Sequence, residues 1–330
     1  MKALVSFIVV LFFVLVAYTG VEVLNQQFLF GVVLPYAAFA TFLLFMVYRI
    51  LKWGSSPVPF RIPTTCGQQK SLPWIKQSKL ENPSGLLGVL GRMALEVLFF
   101  RSLFRNVKTQ TYEGARLAYG EAKWLWLAGL AFHWSFLIIL VRHMRFFMEK
   151  TPGAITMIEG LDSFLQIGAP LLYMTDVVIL AAVTYLFLRR VGIPQMRYIS
   201  LIADYFPLFL IFGIALTGVM MRYFYKVDVV SVKLLVMGLV SFNPTVPDAI
   251  GSLFYIHLFL LCILFAYFPF SKLVHMAGVF MSPTRNLANN SREKRHLNPW
   301  NYPVHVHTYA EYEDDFREKM KGAGLPVEKE

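Results

Sequence analysis

The chain is 330 residues long, 57% hydrophobic and only 15% charged, with a formal net charge of +11. Soluble domains hold about 45–50% apolar residues, so this composition argues against a soluble multidomain protein. In so apolar a chain the positive charge reads as basic loops facing the cytoplasm rather than as a nucleic-acid surface.

Six segments predict transmembrane helices, at 3–20, 28–49, 123–141, 167–188, 199–221 and 250–280, each near or above the ~20 residues a bilayer core requires. The first follows Lys2 and resembles a signal peptide. It runs on past the usual length of such a region, and Val16-Ala17-Tyr18-Thr19 is a poor cleavage site, so a retained anchor is expected. Between the second and third segments, residues 51–123 carry eleven Lys/Arg against four Asp/Glu. Within that loop the apolar stretch 84–105, with Leu86, Leu90, Leu98 and Phe99, is interrupted by Arg92, Glu96, Arg101 and Arg105. That pattern predicts a membrane-surface or partner-docking helix rather than a seventh span.

The remaining loops fix an orientation. Arg189, Arg190 and Arg197 fill the 189–198 loop without an acid, and Arg285, Arg292, Lys294 and Arg295 follow the last helix. By contrast, 20–27 has no basic residue and 142–166 balances three basic residues with three acidic ones. Both termini and the long loop are therefore expected in the cytoplasm, in a multi-pass protein of the inner (cytoplasmic) membrane. The stretch 229–242, with Lys233, predicts a second interfacial helix on the outer side. Residues 286–330, with Pro299, Pro303 and Pro326, predict an extended cytoplasmic tail. No internal repeat is evident. The expected fold class is all-α. Its parts are 1–50 with two helices, a basic loop 51–122, a four-helix core 123–285 and the tail 286–330.

Four of the seven histidines fall on two of these helices: His133 and His143 on the third, His257 and His275 on the sixth. His296, His305 and His307 lie in the tail. Ionisable side chains in lipid are costly and normally face the bundle interior. A single such histidine reads equally well as an interhelical hydrogen bond. Two pairs near opposite ends of two helices do not. Ten residues separate His133 from His143, a rise of ~15 Å, and eighteen separate His257 from His275, nominally ~27 Å. Helices three and six run antiparallel in the expected topology. His133 then pairs with His275 toward the cytoplasm and His143 with His257 toward the outside. Pro269 supplies a kink that reconciles the unequal rises. Each pair is placed to clamp one haem b iron axially, with no position left open for oxygen chemistry, as in an electron carrier. Cys66 and Cys262 cannot supply the four thiolates of an iron–sulfur cluster, and no Cys-x-x-Cys-His for covalent haem is present.

Supporting residues are read two ways. Arg142, Arg145, Lys272 and Arg285 suit haem propionates or ordinary snorkelling at helix ends. Arg142, Arg145 and Lys233 suit quinone oxygens or interfacial anchoring. Asp176 and Asp204 suit a proton relay or a bond to a neighbouring helix. Two readings from another class remain, a transporter and a haem-free scaffold. A transporter favours an inverted repeat, which is not found, and a scaffold needs no facing histidines.

The His-x9-His of the third helix and His-x17-His of the last resemble the nitrate reductase gamma family of quinol-linked cytochromes b. The stretch Phe268-Pro269-Phe270-Ser271-Lys272-Leu273-Val274-His275, followed by Ser282-Pro283-Thr284-Arg285, carries the same likeness over roughly 120–285. The resemblance implies two haems b at these four positions and menaquinol or ubiquinol reacting near the outer one. The extra N-terminal span, the long tail and the basic loop containing Glu96-Val97-Leu98-Phe99-Phe100-Arg101-Ser102-Leu103-Phe104-Arg105-Asn106 look more like the DsrM family. Those proteins are cytochrome b subunits of the DsrMKJOP membrane complex of sulfur metabolism. That resemblance implies a cytoplasmic iron–sulfur partner like heterodisulfide reductase, within a multi-subunit complex. The alternative within the class is a subunit of another quinol-linked reductase, of nitrate reductase gamma or heterodisulfide reductase type.

Overall fold

The computed structural model describes residues 1–56, 67–104, 108–112, 116–120, 122–294 and 305–329, without the side chains of 108–112 and 116–120. Cys66, Arg105, Asn106, Arg295, His296, Pro299 and Pro303, singled out above, lie outside the described residues. The chain forms two compact units, Met1–Ser56 with Leu90–Asn286, and Pro57–Val89 with Leu287–Glu330.

The first unit is a helical bundle. It begins with α1 (Lys2–Tyr18), prolonged by a wide turn at Thr19–Val23, and α2 (Leu34–Gly54), entered through a matching turn at Leu29–Val33. After α3 (Leu86–Phe99) and α4 (Arg101–Phe104), an antiparallel hairpin pairs β1 (Lys108–Tyr112) with β2 (Arg116–Gly120). This hairpin lies in the part of the basic loop beyond the expected 84–105 helix, where the all-α expectation placed no element. Then come α5 (Lys123–His143), α6 (Gly153–Asp162), α7 (Met174–Gly192), α8 (Pro194–Ile199), α9 (Ile202–Val219), α10 (Val229–Val240) and α11 (Ser252–Tyr267). The unit closes with the short α12 (His275–Gly278) and α13 (Pro283–Asn286).

Five helices are long and apolar enough to cross a membrane: Lys2–Val23, Leu29–Gly54, Lys123–Phe147, Ile202–Phe224 and Ser252–Phe270. They correspond to five of the six expected spans. The expected span 167–188 overlaps α7, which is not among these five; it starts at Met174 and carries Asp176 in its first turn and Arg189 and Arg190 in its last. The expected span 250–280 is not one helix. Pro269 lacks an amide N–H, and Ser271 takes an extended conformation (φ −111°, ψ 179°) beyond it. Helix α11 therefore ends at Tyr267, and His275 opens a new one.

Packing follows an inside-out pattern. Leu210, Leu235, Tyr255 and Leu260 are fully buried in the centre. Phe12, Leu44 and Leu51 on the outer faces stay 58%, 69% and 66% exposed. Large apolar faces of this kind suit lipid and not water. Helix α1 packs along α9, α2 along α11, and α5 along α7. At one end Lys2 Nζ donates to the Ser200 carbonyl, 2.8 Å away, so α1 and α9 start together. Asp204 at that end accepts from Lys272 at 2.6 Å. At the other, α10, capped by Asp228, packs on the turn Met144–Phe147 that follows α5.

In the second unit the expected extended tail is instead helical at α14 (Tyr309–Gly322). Thr308 and Glu311 form a reciprocal capping box, which satisfies amide groups at the start of the helix. Glu313 is buried and accepts the amide N–H groups of Glu328 and Lys329, each at 2.8 Å. These bonds hold its carboxyl below the usual range.

Candidate haem-binding histidines

The four intramembrane histidines meet in two pairs. His143 at the end of α5 faces His257 in the first half of α11, with ring centres 6.5 Å apart and planes 12° apart. His133, ten residues earlier on α5, faces His275, with ring centres 5.9 Å apart and planes at 82°. Because the chain breaks at Pro269, His275 reaches His133 although His257 and His275 are eighteen residues apart in sequence.

Each ring is oriented through Nδ1. His133 donates to the Gly129 carbonyl at 2.7 Å and His143 to the Ile139 carbonyl at 2.7 Å, both one turn back on α5. His275 donates to the Lys272 carbonyl at 2.9 Å. His257 lies 2.9 Å from the Thr217 hydroxyl, which donates its own proton to the Gly213 carbonyl and is left to accept. These contacts fix the tautomer, because an Nδ1–H donor leaves Nε2 with its lone pair. Two imidazole nitrogens that each bind a metal at about 2 Å put the ring centres about 6 Å apart. The observed separations fit that requirement in both pairs, as does the donor set for bis-histidine haem.

Thr217 carried no sequence signal beyond lying one turn from the end of α9. Gly218 lies beside the ring, and a Cβ there would make only an ordinary van der Waals contact, 3.5 Å from His257 Cε1.

Around His133 the aromatic walls are Phe132 and Phe100, each with ring centres 4.9 Å away. Phe100 stands at φ +50°, a left-handed conformation uncommon for a bulky residue, where α3 turns into α4. The turn is held from several sides. Trp126 and Trp134 on α5 donate to the carbonyls of Phe99 and Leu98 at 2.7 and 3.0 Å. Glu96 accepts from the Ser102 amide at 3.2 Å, from the Ser102 hydroxyl and from Arg285 at 2.9 Å.

Beside His143 lies a buried ion cluster. Arg142 bonds Asp176 at 2.6 Å and Asp162 at 3.3 Å, and its guanidinium lies over the Tyr173 ring at 3.7 Å. Asp162 accepts the amide and hydroxyl of Thr175, and Asp176 accepts the Tyr223 hydroxyl at 2.8 Å. Arg222 covers the other approach to Tyr173, 3.8 Å from its ring centre. The cluster ties α5, α6, α7 and the end of α9 together.

The remaining cations also have partners. Arg145 pairs with Glu159 at 3.0 Å, Lys233 donates to the Glu149 carbonyl at 2.8 Å, Lys272 pairs with Asp204, and Arg285 with Glu96. Of the five, Arg142 alone is buried.

A helical bundle with five membrane-length apolar helices and two facing histidine pairs defines a multi-pass membrane protein. Residues 86–291 match the model of the nitrate reductase gamma subunit family, and the chain belongs to that family. An Hdr-like menaquinol oxidoreductase cytochrome b-like subunit of Archaeoglobus fulgidus is 44% identical over 279 residues, covering 82% of this chain and 83% of the relative. The protein of the same description from Archaeoglobus profundus is 39% identical over 274 residues, covering 81% of each chain.

Proposed function

We propose that this chain is a dihaem membrane cytochrome b that takes electrons from menaquinol and passes them to a cytoplasmic iron–sulfur partner. The observation that carries the reading is the two histidine pairs, each with Nδ1 engaged and Nε2 free. His143 and His257 would hold one haem b, and His133 and His275 the other, without covalent attachment. Bound there, the two haems would supply one-electron carriers in series across the membrane. The description of the two Archaeoglobus relatives supports menaquinol as the donor and membership of a multi-subunit complex. The likeness of the N-terminal span, basic loop and tail to DsrM supports a role in sulfur metabolism with a heterodisulfide-reductase-like partner.

Helix α7 completes six spans in this reading. Its 19 residues reach roughly 28 Å, close to the ~30 Å hydrocarbon core, with its charges at the two ends. Both termini then face the cytoplasm, and the pair His143–His257 lies toward the outside. The turn at Phe100, beside the inner pair, and, separately, the tail 286–330 are the segments proposed to dock the iron–sulfur subunit.

Quinol enters from lipid and must release two protons to water as it gives up two electrons. Oxidised beside His143 and His257, it releases those protons outside. Moving each electron toward a negative interior costs ~2.3 kcal/mol per 100 mV, so the inner site must have the higher potential. Arg145 and Lys233, with only peripheral partners, are the candidates for quinone oxygens, and Lys272 and Arg285 for inner propionates. Asp176 and Asp204 stand in ion pairs with Arg142 and Lys272, which supports a helix-joining role for the two acids over a proton relay, and the burial of Arg142 favours the same role over contact with a propionate or quinone.

The test is a quinol analogue such as HQNO, added to the purified protein during a potentiometric titration. It is expected to shift the spectrum of the outer, lower-potential haem and block its reduction by quinol. A shift confined to the inner haem, or an outer haem of higher potential, contradicts oxidation on the outer side. A second test addresses orientation of the ligand. Thr217→Val preserves side-chain shape but removes the acceptor for His257 Nδ1. Loss of such an outer partner lowers metal affinity about 10–100-fold, so the outer haem should be depleted on purification while the inner one is retained. Equal retention of both haems contradicts the role given to Thr217.

A further inference from the structure

The second unit contains a donor cluster that electron transfer does not use. Thr308, the residue before α14, is extended at φ −68° and ψ 165°. Just ahead of it His305 and His307 come together with ring centres 5.2 Å apart. The capping box folds the Glu311 carboxylate back past the helix start to the same place, where Oε2 accepts the Thr308 amide at 2.8 Å. One ligand atom from each of His305, His307 and Glu311 lies within 4.8 Å of the others. Asp315, one turn further along α14, brings Oδ2 to 4.0 Å from His307 Nδ1.

We propose that His305, His307 and Glu311, with Asp315 or water as a fourth donor, form a binding site for a divalent transition metal ion of the zinc class. Two imidazoles and a carboxylate with an open fourth position are a donor set that such ions favour over calcium or magnesium, which take oxygen ligands. The cap and the metal are compatible, because the cap uses Oε2 and leaves Oε1 free. A helix N-terminus opposes a cation through its partial positive charge of roughly half a unit, and the two carboxylates offset that charge. Metal binding would fasten residues 305–308 to α14 and fix the start of the tail helix. The proposal is independent of the haem reading.

The experiment uses the full-length protein in detergent with its haems, stripped with a chelator and dialysed against Zn2+ alone. Zinc per chain is measured by elemental analysis and affinity by competition with a zinc-binding dye. One zinc per chain is expected at micromolar concentration or below. His305→Ala/His307→Ala should lose at least a hundredfold in affinity, more than the ~10–100-fold carried by outer partners. Thr308→Ala removes the cap and no donor, and should keep its zinc, which separates ligation from folding of α14. Haem content should be the same throughout. Equal zinc in wild type and the double histidine variant, or none retained by wild type, overturns the site.

Discussion

Alanine at His143 or His257 is expected to abolish one haem and spare the other, and alanine at His133 or His275 to do the reverse. The effect would be all or none, because each haem would be held by two histidines and truncation of one to a methyl removes half of its protein donors. The rings are held through Nδ1, three by backbone carbonyls and His257 by the Thr217 hydroxyl. Haem per chain and the reduced α-band, measured on the four single variants, check the pairing. If His133→Ala and His143→Ala lost the same haem, the pairs would be wrong. Full haem in all four would remove the basis of the assignment.

The second large effect belongs to Arg142. Its side chain is 7% exposed and bridges the carboxylates of Asp162 and Asp176, which are 3% and 12% exposed. Removing one partner of a buried ion pair typically costs about 3–5 kcal/mol, because the charges left behind remain out of water. Arg142→Ala is therefore expected to lower the thermal midpoint sharply. The outer haem should go first, because the cluster secures the end of α5 where His143 sits. Arg145→Ala is the contrast. That side chain is 41% exposed, and its pair with Glu159 is worth only about 0–1 kcal/mol. Combining Arg142→Met with Asp162→Asn and Asp176→Asn should restore part of the loss, since no uncompensated charge then remains buried. A midpoint for Arg142→Ala close to that of Arg145→Ala would show that the cluster does not hold the bundle.

The sequence made the long apolar helices legible because lipid leaves no choice: about twenty apolar residues and an internally bonded backbone are required wherever a helix crosses. The juxtaposition of His133 with His275 and of His143 with His257 was readable for a related reason. Loop charge set the helix directions, and opposite directions fix which residues share a level. Helix ends were harder. Pro269 pointed to a kink, yet whether a proline bends a helix or ends it depends on the residues after it, here the extended Ser271. Helix α14 was missed because prolines on either side suggested an extended tail. The signal was present in Thr308 and Glu311, three residues apart in a capping-box pattern.

The residues that orient the histidines were legible least of all. Thr217 is forty residues from His257, and three of the four Nδ1 contacts go to backbone carbonyls, which carry no residue identity. The ion cluster was half visible. Asp176 stood out as an acid inside a predicted span, but its partners Arg142 and Tyr223 come from other helices, and only packing brings them together. Phe100 gave no sign of its left-handed turn, since nothing in a phenylalanine marks it for positive φ.

The central claim is that two histidine pairs hold two haems in one chain. The most direct measurement is a pyridine haemochrome assay on the purified wild-type protein, referenced to protein concentration by amino-acid analysis. The account predicts two haems b per chain, extractable by acidified acetone because nothing binds them covalently. One haem per chain, or none, contradicts it.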